Sequence, residues 1–191
     1  MPAASTAEYT VRLAATAEEV AQCQSLRREV FVQEQKLPAE AEEDGLDPDA
    51  LHIMCTEDSQ LIATGRVLIT GHECESRAVL ARVAVKADHR GRGLGSRIVQ
   101  ELETLARSKG ASHASLTPHH YLERFYSRMG YRRPSNDAII HITDECQLIT
   151  MEKCLDAKYQ WEDDIPFPVT KPRPEPVDRL VLGVGGTVHS A

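Results

Sequence analysis

Apolar residues recur along this chain at two spacings, and the alternation between them outlines an α+β domain. After Thr16-Ala17-Glu18-Glu19, which has the form of a capping box, Val20, Cys23, Leu26, Val30 and Phe31 fall at helical spacing and predict a helix from about Ala17 to Phe31. The acidic stretch Glu40 to Asp49 follows, and its Gly45 and Pro48 predict an irregular, exposed loop. Leu51 to Thr56 and Leu61 to Ile69 predict an antiparallel pair turning at Glu57-Asp58-Ser59-Gln60. Ala78 to Val85 predicts a third strand, nearly continuous in apolar residues and interrupted by Arg82. The period then returns to that of a helix. Ile98, Val99, Leu102, Leu105 and Ala106 mark one face over Ser96 to Lys109, with Gly110 as the stop. A strand at Ala114 to Leu116 comes next, then a helix capped by Thr117 and Pro118 with Leu122, Phe125, Tyr126 and Met129 facing inward and Gly130 ending it. A last strand from Gln147 to Cys154 closes the pattern.

Beyond Asp156 the composition changes. Pro166, Pro168, Pro172, Pro174 and Pro176 precede Leu182-Gly183-Val184-Gly185-Gly186, so a single domain over 1–155 and a Pro-rich extension over 156–191 are expected. With 22 Lys+Arg against 29 Asp+Glu the net charge is -7, which argues against a nucleic-acid partner and favours a small cationic one. No apolar run approaches the roughly 18 residues of a membrane span, and MPAASTAEYT has neither section of a signal peptide. A soluble cytoplasmic protein with no membrane partner is expected. Five cysteines, with no CxxC pair, indicate neither a disulfide framework nor a metal site.

The chemistry concentrates where strand, turn and helix meet, at Val83-Ala84-Val85-Lys86-Ala87-Asp88-His89-Arg90-Gly91-Arg92-Gly93-Leu94-Gly95-Ser96. Glycines at 91, 93 and 95 allow a sharp turn in which several N–H groups converge at a helix start, and Arg90 and Arg92 add full charges there. Such a place suits a pyrophosphate. A Walker loop would end in Gly-Lys-Ser/Thr where this chain has Gly95-Ser96-Arg97, and a dinucleotide fingerprint would need a third Gly at Ser96.

Ala81-Arg82-Val83-Ala84-Val85 followed by Arg90-x-x-Gly93-x-Gly95 resembles motif A of the GNAT superfamily of acyl-CoA N-acyltransferases, and Phe125-Tyr126-Ser127-Arg128-Met129-Gly130-Tyr131 resembles its motif B. Arg28-Glu29-Val30-Phe31-Val32-Gln33-Glu34-Gln35, with Asp44, Asp47-Pro48-Asp49-Ala50 and His52, is similar to the ElaA/YjcF-like branch. The resemblance spans roughly Tyr9 to Leu155 and implies a mixed, mostly antiparallel splayed sheet of six or seven strands with helices on both faces. It implies that acetyl-CoA is the cosubstrate, that Arg90, Gly91, Arg92, Gly93, Leu94, Gly95 and Ser96 hold its pyrophosphate, and that the backbone of Val83, Ala84 and Val85 runs along its pantetheine arm.

The same resemblance makes Tyr126 the acid that protonates the leaving thiolate, although its spacing alone also fits a core aromatic. Glu34 is the candidate general base, or else a solvated charge at a helix end. Asp44, His52, His119 and His120 are candidates for binding the acceptor. The run Glu145-Cys146-Gln147-Leu148 departs from the branch, which tends to carry Gly-Ile-Pro-His there. The expected reaction is direct transfer of acetyl to a primary amine on a small cationic molecule such as a polyamine or aminosugar, in a ternary complex and without a metal. Two alternatives remain open: a non-catalytic acyl-CoA sensor or interaction module, and a protein lysine or N-terminal acetyltransferase. A homodimer would be unsurprising.

Overall fold

A computed structural model describes residues 9–71, 76–134, 139–141 and 146–156, so the expected extension lies outside the described residues except for Asp156. Strand β1 (Tyr9–Leu13) precedes helix α1 (Ala17–Arg27), which Thr16 caps by accepting from the Glu19 N–H. The chain then widens without a break into a π-helix, Arg28–Glu34, three residues longer than the helical pattern predicts. The short helix α2 (Ala39–Glu42) and a 3₁₀ turn at Asp47–Asp49 lead into β2 (Leu51–Glu57) and β3 (Gln60–Thr70). Asp58 and Ser59 take positive φ between these strands, as a two-residue hairpin turn requires.

Strand β4 (Arg77–Val85) is followed by α3 (Leu94–Ser108), β5 (His113–Leu116), a 3₁₀ turn at His120–Leu122 and α4 (Glu123–Ser127). β6 (Ile140–His141), β7 (Gln147–Leu148) and β8 (Met151–Cys154) complete the described chain. The main sheet has the order β1-β2-β3-β4-β5-β8, with only β4 and β5 parallel, and β6 and β7 form a separate pair. α3 lays Ile98, Val99, Leu102 and Ala106, all fully buried, on one face of the sheet. On the other face Leu26 of α1 and Val30 of the π-helix pack on Ala84.

Two predicted elements are corrected. The helix expected from Thr117 begins only at Glu123. Pro118 accepts a hydrogen bond from the Ile149 N–H at 3.0 Å and His119 bridges to Leu148, which keeps 117–119 extended. The same pairing splits the expected Gln147–Cys154 strand into β7 and β8.

Arg82, the residue that interrupts the apolar run of β4, sits at a bulge with φ of 57°. Thr64 of β3 faces Ala84 and Arg66 faces Ala81, so Gly65 alone opposes both Arg82 and Val83. The extra residue shifts the phase of the strand. Leu80 before it and Val83 and Val85 after it all pack with the α3 core, while Arg82 turns towards α2 on the opposite face. Gly65 also marks the closest approach of α3, because a Cβ there would lie 2.5 Å from Ile98 Cγ2 and 2.8 Å from Leu102 Cδ1.

The acidic loop is not the exposed segment its composition predicts. Glu42 and Asp44 point inward and, with Asp47, meet three arginines from three different elements. Arg27 pairs with Glu42 and with Asp47 at 2.8 Å, Arg66 holds Asp44 and Asp47, and Arg82 reaches Glu42 at 2.8 Å and Asp44 at 3.0 Å. Arg27 and Arg66 are 1% and 0% exposed, so their charges are tolerable only because the carboxylates are there. Contacts with the arginines outweigh burial at Asp44 and Asp47 and hold both below the usual carboxylate range, whereas burial dominates at Glu42 and raises it.

Removing one member should strand the others. Arg66→Ala is expected to cost about 3–5 kcal/mol, the loss typical of a broken buried ion pair, read as a lower midpoint in denaturant; a loss under about 0.5 kcal/mol, the range of ordinary surface substitutions, would contradict it.

Candidate active site

β4 and β5 pair only over Arg77–Val79 with His113–Ser115, although β4 continues to Val85. Beyond Val79 the two strands part, and a cavity of about 160 Å³ opens between them. One wall is the outer edge of β4 from Leu80 to Val83, and the other is Leu116 to His119 with Leu122 and Tyr126. Phe31 of the π-helix, Leu37, Ala41 and Glu42 close one side, and Cys146 and Leu148 another. The lining is mainly apolar. β4 therefore presents peptide groups to the cavity with no strand opposite them, which is where an extended chain bearing amide groups would find partners.

At the end of this wall lies the glycine-rich turn. Gly91 and Gly93 have φ of 77° and 79°, and no atom lies within 4 Å of where a Cβ would stand at either, so conformation and not space calls for glycine. Gly93 is the N-cap of α3; no side chain caps this end and its first turn holds no acidic residue. The free N–H groups of a 15-residue helix thus point outward with the positive end of its dipole. Gly95 differs from the expectation of three turn glycines, since it lies inside the first helical turn, with Phe125 Cζ 3.7 Å from a built Cβ.

Arg90 and Arg92 flank the turn, each already engaged. Arg90 forms a two-pronged pair with Glu34, at 2.5 and 2.7 Å, and donates from Nε to the Val85 carbonyl at 3.0 Å. Arg92 pairs with Glu57, which also contacts His89 at 3.1 Å. Sequence reasoning did not single out Glu57. The hydrogen bond with Arg90 holds Glu34 below its usual range, and Glu34 lies on the surface outside the cavity lining. It faces the turn and not the space where an acceptor would sit.

The other candidates separate. Tyr126 lines the cavity, 7% exposed, its ring edge-on to Phe125 and Tyr131 at 4.9 and 5.9 Å; burial pushes its hydroxyl up to about 12. His119 also lines it, half-buried, its ring stacked on Tyr121 at 5.1 Å and lowered in pKa first by burial and then by His120. His120 is exposed and lies outside the lining. His52 is buried beneath the acidic loop, with Nε2 3.2 Å from the Asp47 carbonyl, and Asp44 is spent on Arg66 and Arg82; neither lines the cavity. Two lining residues passed over by the sequence reading, Glu42 and Arg82, belong to the buried charge network. The interruption of an apolar strand by Arg82 was the available signal.

Comparison with known proteins agrees with this geometry. The model of the acetyltransferase (GNAT) family matches residues 17–131, more than half of the chain. The Bacillus subtilis (strain 168) N-acetyltransferase YjcF is 35% identical over 107 residues, covering 56% of this chain and 74% of YjcF. An acyl-CoA N-acyltransferase from Pseudomonas aeruginosa superposes with a TM-score of 0.66 at 28% identity, covering 77% of this chain and 100% of that one. Escherichia coli ElaA superposes with a TM-score of 0.67 at 22% identity, covering 76% of this chain and 99% of its own. A strand parted from its neighbour, a glycine turn at an uncapped helix and the match over both motifs converge: the chain belongs to the GNAT acetyltransferase family, in its ElaA/YjcF-like branch.

Proposed function

We propose that this chain transfers the acetyl group of acetyl-CoA directly to a primary amine on a small molecule with an apolar body. The observation that carries the reading is the continuity of the unpaired β4 edge with the uncapped start of α3. A pantetheine arm could lie along the first while the second meets its pyrophosphate. Acetyl-CoA supplies the activated acetyl group; the residues of the chain bind it, orient it and move protons.

In this reading Gly91 to Ser96 offer backbone N–H groups to the pyrophosphate, and Arg90 and Arg92 exchange Glu34 and Glu57 for phosphate oxygens. The backbone of Val83, Ala84 and Val85 holds the arm, and an N–H of this edge steadies the oxygen of the thioester carbonyl as negative charge develops on it. Tyr126, protonated throughout the neutral range, gives its proton to the departing sulfur.

The charge network supports an acceptor with an apolar body. A polyamine or aminosugar would need free carboxylates, but three guanidiniums against three carboxylates sum to zero and Asp44 and Asp47 are committed to arginines. The apolar lining supports one amine on an aliphatic or aromatic body.

Three outcomes test this. Tyr126→Phe keeps both ring contacts and should lower kcat by about 10²-fold, the scale of a lost general acid, with acetyl-CoA affinity unchanged in calorimetry; an unchanged kcat would remove Tyr126 from the chemistry. Glu34→Gln frees Arg90 and should leave kcat within a few-fold while acetyl-CoA binds no more weakly. A collapse of kcat in that variant would restore Glu34 as the base. In an assay of CoA-thiol release, phenethylamine and tryptamine should give higher kcat/KM than spermidine or glucosamine, and the reverse order would refute the apolar acceptor.

A further inference from the structure

Direct transfer needs a group to take a proton from the acceptor nitrogen, and the cavity narrows the choice. Among the described residues five titratable side chains line it: Glu42, Arg82, His119, Tyr126 and Cys146. Arg82 can only donate. Glu42 turns one carboxylate oxygen to Arg27 and the other to Arg82, so both oxygens are engaged and neither is turned to an acceptor nitrogen, although burial raises its pKa. Tyr126 is the proton donor, and burial pushes the Cys146 thiol up, keeping it protonated at neutral pH.

His119 differs from these four. Its main chain is fixed on both sides, by the bridge to Leu148 and by the Leu122 N–H donating to its carbonyl at 2.9 Å, and its ring is stacked on Tyr121 with 20° between the planes. Its Nδ1 is buried without a hydrogen-bond partner among the described residues, which leaves Nε2 as the ring nitrogen to meet the cavity, where it offers a lone pair in the tautomer whose proton is on Nδ1. Among the described lining residues the one carboxylate, Glu42, is engaged by arginines and does not hold this imidazole in its charged form. Burial and the neighbouring His120 favour the neutral ring as well.

Resting on the function proposed above, we infer that His119 is the general base of the transfer, accepting at Nε2 the proton that leaves the acceptor nitrogen. The nitrogen lone pair forms the bond to the carbonyl carbon, and one N–H proton passes to His119. The C–S bonding pair then leaves on sulfur, which takes the proton of Tyr126. The imidazolium returns its proton through water to the tyrosinate, so that amine and thioester become amide and thiol with both side chains restored. His119 and Tyr126 stand on one wall of the cavity, on the segment between β5 and the end of α4, opposite Arg82 and Val83 of β4.

The test is the pH profile of kcat/KM for phenethylamine, reckoned on the concentration of its free-amine form because its own amine titrates well above an imidazole. Protonation of His119 abolishes its basicity, so the wild-type rate should fall as pH drops through a value below 6.5, the ordinary histidine value from which this residue is lowered. In His119→Gln the acidic limb should vanish and kcat fall about 10²-fold at neutral pH, with acetyl-CoA affinity and melting temperature retained. Added imidazole should restore part of the rate of His119→Ala. A merely structural role would leave the limb where it stands in the wild type. Retention of that limb in His119→Gln overturns the assignment, as does its absence from the wild-type profile, which needs no variant. Failure of the wild type to release CoA with every amine tried would instead defeat the acetyl-transfer reading, before any variant is made.

Discussion

Guanidinium groups cannot be taken out of water without carboxylates to meet them, and one side of the cavity is arranged around that constraint. Arg27 comes from the end of α1, Arg66 from the middle of β3 and Arg82 from the bulge of β4. They are brought together by Glu42, Asp44 and Asp47, all within one loop. The loop is therefore pinned to helix and sheet at once, and through it α2 is held against the cavity, where Ala41 and Glu42 form part of the wall. Hydrophobic burial alone would not specify this placement, because Ala39–Glu42 offers little apolar surface. Satisfaction of the charges does.

Arg82 also links the network to the opening of the sheet. A residue inserted at Arg82 lets a charged side chain leave the core of β4 while Leu80 and Val83 stay in it, and pairing with β5 ends three residues earlier, at Val79. What opens the sheet is thus also what turns Arg82 towards the loop. α3 can press close on the bulged region because the residue opposite is Gly65, and that contact sets where the helix begins and where its free N–H groups point.

The arginines of the glycine turn show how charge is managed before a ligand arrives. Both are exposed enough to reach an anion, and both rest on carboxylates, Glu34 and Glu57, from segments distant in sequence. Exposed pairs of this kind are worth little on their own, so a pyrophosphate that also gains backbone N–H groups can replace them. Glu34 ends the π-helix that places Phe31 in the cavity wall, so one short element reaches both the glycine turn, through Arg90, and the cavity.

Local pattern carried much of this in advance. The strand pairs, the α3 face and the glycine turn follow from periodicity and from what glycine and arginine permit, and the two motifs identified the family. Tyr126 was legible as a residue on an inward face. The acidic loop was misread because composition reports what a segment can dissolve in and not what it meets: Arg27, Arg66 and Arg82 are 20, 19 and 38 residues from their aspartate partners. Between the two readings of Glu34, base or solvated charge at a helix end, the sequence could not choose, since its partner Arg90 lies 56 residues away, and His119 stood apart from its neighbour His120 only once β7 had drawn 117–119 into extended form. The sequence by itself determined the elements, the family and the glycine turn at the start of α3, since each depends on neighbours within a few residues. Which charges face a ligand and which face each other was decided only by the tertiary structure, because burial and pairing depend on segments that the chain brings together from far apart.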